Sequence, residues 1–286
     1  MFLNSRRRVQ RYNVVMTHEL IFLKLGGSLI TDKDKPYTPR LDKLADLARE
    51  IKTVLDSTPG LLLILGHGSG SFGHTAAKKY GTRDGILDPK GSIEEYWRGF
   101  AEVRFQAAEL NRYVMESLIH AGVPAISFPP SSSLVSNNRK VTHHNTLAIR
   151  KALGAHLLPV VHGDVLFDEA LGGTILSTED VFAFLAEQFP PSRILLAGIE
   201  AGVWEDFPAR TKLVKQIQLS DYEKMRAGIG GSASTDVTGG MKAKVEEMLA
   251  LIQKNKGLTT QIFSAEESGC LSRALKGENV GTLLME

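Results

Sequence analysis

The feature that most constrains this chain is an alternation of short, mostly apolar runs with longer amphipathic stretches. "LIFLKL" (20–25), "LLLIL" (61–65), "PAISF" (124–128), "LLPVVH" (157–162), "RILLAG" (193–198), "TQIF" (260–263) and "GTLLME" (281–286) read as strands. Segments 40–56, 92–121, 144–153, 178–188, 239–254 and 266–275 read as helices. In the first of these, Leu41, Leu44, Leu47, Ile51 and Leu55 recur at helical spacing, a core-facing stripe. Strands that lack a polar face and alternate with helices predict an α/β fold with a mainly parallel sheet covered by helices. "FPPS" at 128–131 and again at 189–192 punctuates loops. A soft boundary near Pro190–Pro191 separates an N-terminal lobe, 19–190, from a smaller C-terminal lobe, 191–286.

Composition narrows the function. A chain of 286 residues with 43% hydrophobic residues can bury a large core. Its 34 basic and 32 acidic residues leave a net charge of +2, which argues against a general nucleic-acid footprint. Cys270 is the sole cysteine, so neither an internal disulfide nor a cysteine zinc site can form, as suits a reducing compartment. No apolar run reaches the roughly 18 residues that a bilayer span needs. The expectation is a cytoplasmic protein with no membrane partner. Residues 1–18 are arginine-rich and carry no acid, faintly like a transit peptide. They read more simply as a disordered extension, or as a start placed ahead of Met16.

Three glycine turns carry the chemistry. In "FLKLGGSLITDK", Lys24 lies on a strand and Gly26, Gly27 and Ser28 follow. Adjacent glycines expose backbone N–H groups to an anion, although the Walker pattern G-x-x-x-x-G-K-[ST] is absent. In "LILGHGSGSFGH", Gly68, Gly70 and Gly73 match G-x-G-x-x-G. A dinucleotide site needs a further strand ending in an acid about 20 residues on. Asp84 and Glu94 instead sit in polar, turn-like sequence, so the glycines read as a phosphate cradle with His74 at its mouth. In "STDVTGGMKAKVEEM", Gly239 and Gly240 open a helix with Lys242 and Lys244 in its first turns. Cations there oppose the helix dipole unless an anion is bound. Three such turns suggest two phosphorylated ligands, gripped from both sides.

"KLGGSLITDK", "HGSGSFGH", "PVVHGDV" and "DVTGGMKAK" together resemble the amino acid kinase superfamily, and within it the isopentenyl phosphate kinases. The likeness runs from about Ile21 to the C-terminus, and the histidine after "GSFG" is its sharpest mark. It implies a three-layer αβα sandwich, an N-terminal lobe that binds the phosphoryl acceptor, a C-terminal lobe that binds ATP, Mg²⁺ and a homodimer. Carried over, Lys24, Leu25, Gly26, Gly27 and Ser28 hold the nucleotide's terminal phosphates, with Gly70, Gly240 and Lys244 as further ATP contacts. Lys33 stabilises the transition state. Ser69, Gly70, His74 and Thr178 bind the acceptor, an isoprenoid monophosphate. Lys24, Lys33, His74 and Lys244 form the catalytic set. The chain departs from the pattern at "AGIEAGVW" (197–204), where Ile199 and Ala201 replace acids near the nucleotide, and at Ser69 and Thr178, where relatives carry glycine. Two alternatives keep the same fold: a kinase of another small phosphate or phosphonate such as fosfomycin, and a non-catalytic nucleotide-binding regulator.

A phosphate acceptor has a second pKa of about 6, so near neutrality it is already a nucleophilic dianion and needs no general base. The obstacle is charge repulsion, on the order of 4 kcal/mol per unit pair at 4 Å in a polar protein environment. Lys24, Lys33, Lys244 and His74 are the cations available to cancel it. No strong metal ligand is evident; Asp164 and Asp236 are the weak candidates. Ile86, Ile93, Trp97, Phe100 and Val103 follow the second turn, Ile93, Trp97 and Phe100 on one helix face; they read either as a core stripe or, in part, as the pocket for the apolar tail.

Overall fold

The computed structural model describes residues 19–86, 91–222 and 240–286. In chain order the strands are β1 (Leu20–Leu25), β2 (Leu62–His67), β3 (Ala125–Ser127), β4 (Leu134–Asn137), β5 (Lys140–His144), β6 (Leu158–His162), β7 (Asp164–Asp168), β8 (Gly172–Leu176), β9 (Arg193–Gly198), β10 (Val203–Trp204), β11 (Leu213–Val214), β12 (Gln216–Gln218), β13 (Thr259–Ser264) and β14 (Thr282–Met285). The helices are α1 (Gly27–Ile30), α2 (Leu41–Ser57), α3 (Gly70–Tyr80), α4 (Ile93–His120), α5 (Leu147–Gly154), α6 (Thr178–Gln188), α7 (Gly240–Lys254) and α8 (Cys270–Leu275).

One sheet organises the molecule, in the order β12-β14-β13-β9-β1-β2-β6-β3. All its pairings are parallel except β13 with β14. Strand alternation sends Leu20 and Phe22 to one face, where Phe182 of α6 and Met248 of α7 cover them. Ile21, Leu23 and Leu25 face the other way, onto Leu47 of α2, Leu110 of α4 and Leu271 of α8. This is the three-layer sandwich. The boundary near Pro190–Pro191 falls between α6 and β9, and the sheet continues across it, since β1 pairs with both β2 and β9.

The apolar runs and the long helices match the sequence reading within a few residues. α4 starts on a capping box between Ser92 and Glu95. The last helix begins at Cys270 rather than 266 because Gly269, at φ 89°, cannot lie inside a helix. A second sheet, β5-β4-β7-β8, and α3 have no counterpart among the expected elements.

Candidate functional site

The register of the central sheet aligns Leu25 with His67 on one side and Ala197 on the other. The turns that follow β1, β2 and β9 therefore emerge side by side at the carboxyl end of the sheet, where ligands bind in α/β folds. Gly26 N–H donates to the Ala197 carbonyl at 2.7 Å, and Gly68 N–H to that of Leu25 at 3.0 Å. The first two turns then touch backbone to backbone. A Cβ on Gly27 would lie 2.5 Å from Gly70 Cα, and one on Gly68 would lie 2.8 Å from Gly27 N. Only glycine fits there. Thr31 stitches the contact, its hydroxyl donating to the Gly27 carbonyl at 2.8 Å and accepting from Ser71 N–H at 3.0 Å.

A cleft of about 870 Å³ opens over these turns. Gly26, Gly27, Ser28, Ser69, Gly70 and Gly240 line it, together with the side chains of Lys24, Lys33, His74 and Lys244. Lys24 projects from β1 toward α6 because its neighbours at alternate positions do. There it forms a buried ion pair with Glu179. Burial alone would push the Glu179 carboxyl up; Lys24, then Lys244, outweigh it and hold the group below its ordinary value. Glu247, one turn beyond Lys244 on α7, is pushed up to about 7, first by burial and then by the charges of Asp180 and Glu179. Lys33 stands exposed at the rim. His74 is half-buried on the face of α3 that lines the cleft with Gly70, Gly73 and Ala77. Lys242, unlike Lys244, does not border the cleft.

Three of the expected residues have their side chains engaged within the protein. Leu25 turns its side chain into the core and leaves only its carbonyl, which holds Gly68. Thr178 reaches the cleft floor, yet its hydroxyl already donates to the His67 carbonyl at 2.7 Å. Asp164 is buried away from the cleft and accepts from Ser131 N–H at 3.1 Å and Val165 N–H at 2.9 Å. Arg104 Nε lies 3.7 Å from the same carboxylate, so backbone donors and one cation share it. Asp236 and Gly239 lie outside the described residues. Among the described residues no cluster of three metal-ligating side chains occurs.

Of the apolar residues proposed for the tail, Val103 lines the cleft, joined by Ala77, Ala107 and Ile175. Ile93 is 56% exposed and faces away from that wall. Trp97 and Phe100 belong to an aromatic cluster behind it, their ring centroids 5.3 Å from each other. At the opposite end, Ile199, Glu200 and Trp204 of the divergent segment border the cleft. Glu200 accepts from Trp204 Nε1 at 3.1 Å and from Arg210 Nη2 at 3.0 Å.

Beneath the second glycine turn lie two fully buried histidines, His67 and His162, with ring centroids 5.2 Å apart. Burial depresses both, His67 to about 3 and His162 to about 4. The unfolded chain takes up protons below about pH 6.5, whereas the folded imidazoles resist them. Their stability contribution is thus complete above about pH 6.5 and drains away as pH falls toward 4. Urea midpoints are expected to fall steadily between pH 7 and 5, less so in His162→Asn; a flat profile would contradict this.

The residues from 19 to 264 match the sequence profile of the Amino acid kinase family. The chain is 36% identical over 267 residues to the isopentenyl phosphate kinase of Methanocaldococcus jannaschii, covering 92% of this chain and 97% of the relative. It is 33% identical to that of Methanothermobacter thermautotrophicus, covering 91% and 97%. A crystallographic isopentenyl phosphate kinase superimposes with a TM-score of 0.78 at 29% identity, over 93% of this chain and all of that one. A gonococcal N-acetylglutamate synthase shares the fold at a TM-score of 0.66 and 14% identity, covering 94% of this chain and 59% of that one. With its three glycine turns, its cleft and these relatives, the chain belongs to the amino acid kinase family, on the isopentenyl phosphate kinase branch.

Proposed function

We propose that the protein transfers the γ-phosphate of ATP to isopentenyl phosphate, giving isopentenyl diphosphate by direct in-line displacement. The observation that carries this reading is the backbone contact of the first two glycine turns, with Lys24, Lys244 and His74 converging on one cleft. Two anionic ligands can be held there at reacting distance. Catalysis is positioning plus charge cancellation, as phosphoryl transfer requires. The acceptor dianion attacks without surrendering a proton, so no base is needed. Lys24 and Lys244 steady the γ-phosphate, Lys33 the charge that develops during transfer, and His74 the acceptor phosphate. Ala77, Val103, Ala107 and Ile175 offer the apolar wall for a short prenyl chain.

Mg²⁺ binds proteins largely through substrate phosphates plus one or two carboxylates. The donor set fits that modest demand, with Glu179 as the buried cleft carboxylate, and the ion would neutralise the nucleotide's phosphates. A coupled ADP-release assay with isopentenyl phosphate, fosfomycin and small amino acids in parallel tests the reading; turnover with isopentenyl phosphate alone is the expected result. In the same assay, His74→Ala is expected to raise the acceptor KM with ATP binding preserved, and Lys33→Ala to lower kcat. Loss of ATP binding in the first variant, or unchanged kcat in the second, would refute the assigned roles.

A homodimer is the assembly we propose. α4 leaves Phe105 61% and Ile119 53% exposed, equally spaced on either side of Arg112, and β3 at the sheet edge leaves Ile126 39% exposed. Equal spacing lets two antiparallel copies pair Phe105 with Ile119 in an isologous contact. Light scattering should report a dimer that Phe105→Glu with Ile119→Glu converts to monomer; a wild-type monomer would end the proposal.

A further inference from the structure

The glycine turns absorb most of the sequence motifs, but the histidines of the two "HG" pairs, His67–Gly68 and His162–Gly163, have no part in the chemistry above. His67 and His162 close the neighbouring strands β2 and β6 and are paired in register. In both, Nδ1 lies 3.2 Å from the carbonyl oxygen of the glycine that follows. A carbonyl can only accept, so Nδ1 carries the proton in each ring. A neutral imidazole has one such proton, which leaves Nε2 as an acceptor. In His162 this atom is buried without a partner among the described residues. In His67 it lies 3.2 Å from Asn111 Oδ1, while the Asn111 Nδ2 donates to Ser127 Oγ at 2.9 Å. A backbone carbonyl cannot reverse, whereas a carboxamide can turn over and offer its N–H₂ to Nε2. The Nδ1–H form thus satisfies both contacts.

The consequence follows from peptide geometry. In a planar trans peptide the C=O and N–H point in opposite directions. An imidazole below the loop that holds the Gly68 carbonyl inward turns the Ser69 N–H outward, toward the cleft that Gly68, Ser69 and Gly70 line. Ser69 N–H makes no hydrogen bond to any other described residue. We propose that His67 is a positioning residue for the acceptor: its Nδ1–H locks the 68–69 peptide so that Ser69 N–H is presented to the acceptor's phosphate. This rests on the reading of the loop as the acceptor site.

Asparagine places an amide N–H near the position of Nδ1, and glutamine places one near Nε2. His67→Asn should therefore keep the acceptor KM within about threefold of wild type. His67→Gln should raise it by on the order of tenfold to a hundredfold, the worth of one hydrogen bond to a charged group. The KM for ATP should stay unchanged in both, which a general loosening of the fold would not allow. Equal acceptor KM values in the two variants, or a parallel rise in the KM for ATP, would overturn the proposal. ¹⁵N NMR of the histidine-labelled wild-type protein gives a readout independent of substrate: an Nε2–H signal at His67 overturns the assignment, and Nδ1–H supports it. Absence of turnover with isopentenyl phosphate in the wild type would count against the functional reading, and the NMR result would still decide the role of the ring.

Discussion

Lys24→Met is expected to lower both activity and stability, and the two losses should be separable. The substitution leaves Glu179 buried without its ion-pair partner, with Lys244 as the remaining cation that acts on it. Removing one member of a buried pair typically costs about 3–5 kcal/mol. At roughly 2–4 °C per kcal/mol for a protein of this size, Tm should fall by on the order of 10 °C. Removing a charge that stabilises the transition state should lower kcat by on the order of 10²–10³. Adding Glu179→Gln removes the stranded charge, so the double variant should recover much of the Tm and none of the rate. Thermal melts and steady-state kinetics on the three proteins check this. A double variant with wild-type kcat would show that Lys24 is there to satisfy Glu179 and does not act on the phosphate.

Gly27→Ala should damage both substrate sites at once. Its new Cβ would sit 2.5 Å from Gly70 Cα, against backbone that has nowhere to retreat. The strand ends fix both turns, so the relief available is to spread the first glycine turn from the second. A misplacement of about 1 Å can cost on the order of a hundredfold in rate, and kcat/KM for both substrates should fall by at least that. Overpacking typically costs about 1–3 kcal/mol, so the variant should remain folded by circular dichroism. Wild-type kinetics for Gly27→Ala would mean that the two turns need not touch.

How much of this was legible beforehand depends on the range of each interaction. β1, β2, β9 and β13 could be read because both faces of each strand are buried, leaving apolar runs such as "LLLIL" in which a polar residue is the exception. The first two glycine turns were legible because backbone crowding at Gly27, Gly68 and Gly70 admits no other residue. Strands β4, β5, β7 and β8 were not. "KVTHH" is mostly exposed and alternates poorly, and its pairing with β4 carries a register shift. Glu179 was missed for a different reason. In "STED" it sits inside an N-terminal capping box, Ser177 to Asp180, where acids are expected for local reasons. Only the fold brings Lys24 to it. The tail wall was half legible: helical spacing identified an apolar face on α4, but could not say that Val103 would border the cleft while Trp97 and Phe100 packed behind it.

The placement of β1 between β2 and β9 has a consequence for how such proteins diversify. Neighbouring strands are held about 4.8 Å apart by their hydrogen bonds, so the gap between the first two glycine turns is set by the sheet as long as no side chain is placed between them. Helices and hairpins around the rim can then drift toward new ligands while the reacting distance stays calibrated.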